Sequence, residues 1–120
     1  MIKTHNATSE CKGEFLAGIN FADINRGDII SVHKGGFWIF GGKYLEAYIT
    51  EKTDKKIRIV ISDIPDKITV AEYESSSHEN WLRICGRERI VKFSEDGDRY
   101  VDLLKELKDI RELRDIQGEL

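Results

Sequence analysis

Only one stretch of this chain carries a helical period long enough to build a helix, and it lies at the end. Advancing about 100° per residue, Tyr100, Leu103, Leu104, Leu107 and Ile110 fall within about 60° of one line. That is the apolar stripe of a helix that lies on another layer. Ser94, Asp96 and Asp98 are candidate N-caps, the cluster of acids there suits the positive end of the helix dipole, and Gly118 suits a C′ position. The helix is therefore predicted over residues 97–117. Between residues 27 and 93 the sequence is instead a series of short β-branched and aromatic runs cut by glycine pairs and polar turns. Many strands and one amphipathic helix predict an α+β fold: a bent antiparallel sheet or partly open β-barrel of about six to seven strands, capped by one long C-terminal helix.

Within the 27–93 β body, Asn25-Arg26-Gly27-Asp28 reads as the turn that launches a strand over 29–33. Gly35-Gly36 is a two-residue hairpin signal, because primed turns need the positive φ that glycine adopts freely. The predicted return strand, 37–40, sets Val32 opposite Ile39. Gly41-Gly42 then bends the chain before a strand from Tyr44 to Ile49. In 56–62, Ile57, Ile59 and Ile61 alternate with Arg58 and Ser62, the pattern of a half-buried strand. Residues 68–73 form another strand. A last hairpin is expected around Gly86-Arg87-Glu88-Arg89, pairing Ile84 with Val91 and Leu82 with Phe93. Residues 1–26 place Phe15, Leu16 and Ile19 at helix-like spacing, but Gly13 and Gly18 interrupt it, so an irregular or short helical lead-in is expected. At 120 residues, 1–120 reads as a single domain with a core of its own.

Charge is divided along the chain. Of 19 basic and 22 acidic residues, segment 94–120 holds five and nine, leaving 14 and 13 for residues 1–93. A neutral body with an acidic tail disfavours nucleic acid, which needs a concentrated basic field, but leaves room for a local basic patch. No apolar run approaches a membrane span and no secretory signal is visible, so a cytoplasmic protein with Cys11 and Cys85 reduced is expected.

Dinucleotide, P-loop, zincin and nucleophile-elbow motifs are all missing, and no two of Cys11, Cys85, His5, His33 and His78 stand at a chelating spacing. No catalytic residue, metal or cofactor is predicted. The candidate ligand or partner surfaces are Phe37, Trp38 and Tyr44 on one aromatic cluster, and Trp81 with Arg83 and Lys92 on another, which would bind anions or stack a ring. Leu113, Ile116 and Leu120 fall off the helix stripe and are the candidates for self-association as a homodimer. In layout alone, the strand-to-helix step over 93–104, Phe93-Ser94-Glu95-Asp96-Gly97 into the helix, resembles the end of pleckstrin-homology-like domains, and Gly27-Asp28-Ile29-Ile30 through Trp38 resembles the opening of SH3-like barrels. The two imply different strand pairings, and no functional residue follows from either. The functional expectation is a non-enzymatic binding or interaction module that self-associates through its helix. The alternative is a small enzyme or small-molecule-binding protein with a pocket between sheet and helix.

Overall fold

Adjacent residues buried on opposite faces of the same strand organise this molecule. The structure, a computed structural model, describes residues 3–10, 14–34, 44–77 and 80–118. Its strands are β1 (Thr4–Glu10), β2 (Phe15–Ala17), β3 (Ile29–Lys34), β4 (Tyr44–Lys52), β5 (Lys56–Ile64), β6 (Lys67–Ser75), β7 (Trp81–Ile84) and β8 (Arg89–Lys92), followed by helix α1 (Gly97–Gly118). They form one sheet in the order β5-β4-β3-β1-β2-β7-β6-β8, and an additional β5–β6 pairing closes seven of them into a barrel. β8 stands outside the closure, as an extra strand on β6.

The barrel interior is filled by Leu16, Ile30, Ile49, Ile59, Tyr73 and Leu82, with Ala7, Ala47 and Ala71 where strands crowd together. A second cluster lies on the outer wall: Ile29, Tyr48, Val60, Ile68, Val70 and Val91 meet Leu103, Leu107 and Ile110 of α1. The pairs Ile29-Ile30, Tyr48-Ile49, Ile59-Val60 and Val70-Ala71 thus each place one residue in the lumen and the next under the helix, because successive side chains of a strand point to opposite faces. Residues 57–61, expected to be half-buried, are covered on both sides where Val60 sits, fully excluded from solvent. The alternation of Ile57 and Ile59 into the core holds.

Four expectations are corrected. The described residues of segment 1–26 form no helical lead-in but supply β1, β2 and a 3-10 turn at Phe21–Asp23. Helix-like spacing of Phe15, Leu16 and Ile19 was misleading, since Leu16 and Ile19 enter the barrel from a strand and the bend after it. The sheet is mixed, because β1 runs parallel to β3, with Ala7 beside Val32. Val32 pairs with Leu45 and His33 with Tyr44, so β4 is the return strand; the anticipated 37–40 strand and its glycine pairs lie outside the described residues.

The fourth correction concerns the last hairpin. β7 and β8 are not paired with each other but lie end to end on one edge of β6, with Ile84 opposite Tyr73 and Arg89 opposite Val70. A hairpin would have put Leu82 and Val91 on one face. The observed path buries Leu82 inside the barrel and Val91 beneath α1, so both apolar side chains find a core.

The helix starts where its sequence says. Asp96 is the N-cap: its Oδ1 accepts from the Arg99 amide at 3.3 Å and its carbonyl from Tyr100 at 3.0 Å. The Phe93 ring meets Tyr100 edge-on at 5.6 Å, fixing the angle of entry. Leu103, Leu107 and Ile110 are buried and Tyr100 packs beside them, whereas Leu104 is 38% exposed. The stripe is centred between Leu103 and Leu107, which carries Leu104 over the rim.

Asp28 pins β1 to β3. Its side chain, 1% exposed, accepts from the Lys3 amide at 3.1 Å and the Asn25 amide at 2.9 Å, and meets His5 Nε2 at 2.9 Å. Burial pushes the carboxyl pKa up, but the His5 hydrogen bond and the two amides outweigh it and hold it below the ordinary aspartate value. Gly27, at φ +92°, makes the turn that aims Asp28 inward, and its amide donates to the Ile49 carbonyl at 2.8 Å.

Two outcomes follow for stability. In urea denaturation, Leu107→Ala should cost about 2–5 kcal/mol and Leu104→Ala less than about 1 kcal/mol; equal losses would overturn the assignment of the buried stripe. Asp28→Asn should destabilise by about 1–3 kcal/mol at pH 7. A lowered carboxyl pKa stabilises fully above the unfolded aspartate value and loses that effect as pH falls through the folded value, so the gap between wild type and Asp28→Asn should narrow in acid. A gap that widens there would show that the charged form is not the favoured one.

Candidate functional site

The end-to-end placement of β7 and β8 leaves a bulge. From Ile84 to Arg89 the chain takes five steps while β6 takes three, from Tyr73 to Val70. Cys85 closes the β7 end by donating its amide to the Glu72 carbonyl at 2.8 Å, and Gly86 turns the chain away at φ +79°, a conformation side-chain-bearing residues rarely adopt. The bulge lifts Arg87 and Arg89 over the outer face of β6, and α1 crosses the same face. Between them lies a cleft of about 310 Å³.

Its floor is Val70, Ala71 and Glu72 of β6, with Arg58 from the neighbouring β5. Arg87 and Arg89 stand on the bulge side beside Cys85 and Gly86, and Arg99 reaches in from the first turn of α1. Four guanidinium groups from three segments thus share one concavity in a protein whose net charge is −3. Their states differ. Arg58 donates to Glu106 Oε2 at 2.8 Å, stands 3.8 Å from Glu51 Oε2, and donates through Nε to Thr50 Oγ1 at 2.8 Å. It ties β5 to the helix, with its charge already matched. Among the described residues, no carboxylate comes within ion-pair distance of Arg87, Arg89 or Arg99. These three are exposed at the mouth of the cleft and carry unneutralised charge.

The surface predicted at Trp81, Arg83 and Lys92 is not assembled. Trp81 packs against Phe15, ring centroids 5.6 Å apart, and Arg83 donates to Glu74 at 2.6 Å, which holds the Glu74 carboxyl below its ordinary pKa. Lys92 lies at the far end of β6, opposite Lys67, and is 3.9 Å from Glu95. The register also turns it to the face away from the helix, since its neighbour Val91 is the residue buried under α1. Phe37, Trp38 and Leu120 lie outside the described residues, as do the side chains of Tyr44, Leu113 and Ile116.

Cys85 borders the cleft, but burial pushes its thiol pKa up and nearby Glu74 pushes it further, the opposite of what activates a nucleophile. His33, on β3, is separated from β7 by β1 and β2 in the barrel order, so no Cys–His pair forms with it. His78 lies outside the described residues. No group of three or more potential metal ligands occurs among the described residues, and no helix there is long and apolar enough to cross a membrane.

Arg58, Arg87, Arg89 and Arg99 escaped sequence reasoning. Arg87 and Arg89 looked like the tip of a hairpin loop, and nothing in their spacing ties them to Arg58 or Arg99. The density of arginine from 83 to 89 was the one available signal. Comparison with protein-family models, curated proteins and solved structures gives no match to this chain. Neither layout resemblance therefore amounts to a family assignment, and the cleft must be read from its own chemistry.

Proposed function

We propose that this chain is a non-enzymatic binding module whose recognition site is the arginine-lined cleft and whose partner presents an anionic group there. The observation that carries this reading is the convergence of Arg87, Arg89 and Arg99 on one concavity, with no carboxylate within ion-pair distance of any of them among the described residues. Like charges held together repel, and proteins ordinarily relieve this with an interspersed acid, as Glu106 and Glu51 do for Arg58. A guanidinium group is the residue of choice for carboxylate and phosphate, because its planar fork donates two parallel hydrogen bonds. The raised thiol pKa of Cys85 fits binding better than nucleophilic chemistry at this place. A cytoplasmic setting, with the thiol reduced, belongs to the same reading, and so does self-association as a dimer through Leu113, Ile116 and Leu120, which the helical period of the sequence sets off the apolar stripe.

Each part has its own test. At low ionic strength, millimolar citrate or tripolyphosphate should raise the Tm of the wild type, since a ligand bound only to the folded state stabilises it. Arg87→Glu with Arg89→Glu should abolish that rise, while Arg83→Glu, outside the cleft, should retain it. A wild-type Tm unmoved by either anion would overturn the reading. For the dimer, Leu113→Asp with Ile116→Asp should halve the mass in light scattering without changing the circular dichroism. A monomeric wild type at micromolar concentration would end that part of the proposal.

A further inference from the structure

Resting on the anion-binding reading, we infer that the cleft takes a small phosphate monoester, a phosphorylated sugar or polyol, rather than a carboxylate or a nucleotide. Charge is the first argument. With Arg58 satisfied by Glu106 and Glu51, the charges left facing the cleft among the described residues are Arg87, Arg89 and Arg99 against Glu72. Two positive charges remain. A phosphate monoester carries about −1.5 to −2 at neutral pH and matches them; a single carboxylate leaves one uncompensated.

Acceptor geometry is the second argument. Arg87 and Arg89 come from the bulge side and Arg99 from the helix, so donors approach the cleft from two walls above the β6 floor. A tetrahedral phosphoryl group offers three terminal oxygens in different directions, which suits donors arriving from different sides. A planar carboxylate offers two oxygens in one plane, which a single guanidinium fork already occupies.

Size and lining give the third argument. At about 310 Å³ the cleft stands at the lower end of small-molecule sites, which run from about 300 to 1,000 Å³. A phosphoryl group leaves part of it for a compact body. Among the described residues the apolar lining is limited to Val70 and Ala71 and no aromatic ring borders the cleft, so none of them offers the stacking face a nucleobase uses. Glu72 on the floor is a carboxylate acceptor suited to hydroxyl donors of a sugar or polyol.

The test is isothermal titration calorimetry of the full chain at low ionic strength with glucose 6-phosphate, glucose, inorganic phosphate and citrate. Glucose 6-phosphate should bind, glucose should not, and citrate should bind about tenfold more weakly or worse. Arg87→Gln with Arg89→Gln should weaken glucose 6-phosphate by about tenfold or more, and Arg83→Gln should leave it unchanged. Glu72→Gln should weaken glucose 6-phosphate relative to inorganic phosphate, separating recognition of the body from recognition of the phosphoryl group. If citrate binds as tightly as glucose 6-phosphate and is lost in the double variant, the phosphate inference falls while the anion reading stands. If neither anion binds, both fall. If the protein sediments with phosphatidic acid vesicles but ignores glucose 6-phosphate, the monoester belongs to a lipid headgroup and the soluble sugar phosphate is overturned.

Discussion

Burial of β3 to β6 on both faces is the constraint on which the rest of the structure depends. A closed barrel of seven strands has a lumen narrow enough for side chains to fill, and here Ile30, Ile49, Ile59 and Leu82 fill it. That would satisfy an ordinary small barrel. This one also carries Ile29, Tyr48, Val60, Ile68 and Val70 on its outer wall, an apolar face that water would penalise at about 25 cal/mol per Å². The helix is therefore not an appendage. Leu103, Leu107 and Ile110 cover that face, and each such side chain contributes about 1.5–3 kcal/mol when removed from water. Arg58 with Glu106 on one flank, and Arg111 with Tyr48 (guanidinium 5.2 Å from the ring) on the other, set the helix azimuth more than they add stability, since partly exposed ion pairs contribute at most about 1 kcal/mol.

The same constraint explains the path of the last two strands. β6 has one free edge and two different cores to serve along its length. Near Tyr73 its partner must send a side chain into the lumen; near Ile68 its partner must send one under the helix. A hairpin cannot do this with one edge, but two short strands laid end to end can, provided the chain between them changes register. The excess residues of that change are the bulge, and the bulge is where the arginines stand. The cleft is thus a by-product of closing the barrel and extending it at once. Bulges at barrel rims re-aim side chains in this way.

What was legible in the sequence follows periodicity. The helix, its Asp96 cap and the inward alternation of Ile57 and Ile59 were readable because each is a local pattern with a local cause. The α+β class followed from the same signals. The parallel β1–β3 pair was not readable, because its strands are separated by β2 and the turn through Asp28, and its main specification is a buried Asp28 that takes amides from residues 3 and 25. Leu104 was misassigned by a stripe drawn too wide. The hairpin at 81–93 was misread because pairing two neighbouring apolar runs is the simplest local solution, and only β6 reveals the better one. The site was less legible still. Arg58 and Arg99 are 41 positions apart in sequence and become neighbours only after the barrel has closed and the helix has crossed it.

Charge gives the cleft its meaning. The C-terminal segment 94–120 holds nine acids against five bases, yet one of those bases, Arg99, lines the cleft. On the flank toward the bulge, Glu106 is consumed by Arg58, and Arg99 stands about two turns nearer the N-terminus, its guanidinium with no carboxylate in ion-pair distance among the described residues. The helix dipole places its positive end at this same first turn, where Asp96 already takes the available amide. An anion in the cleft therefore meets guanidinium groups from the bulge and from the first turn of the helix, with Glu72 the acid on its floor among the described residues. A net charge of −3 keeps nonspecific polyanions at a distance, so attraction is confined to a ligand small enough to enter between the helix and the bulge.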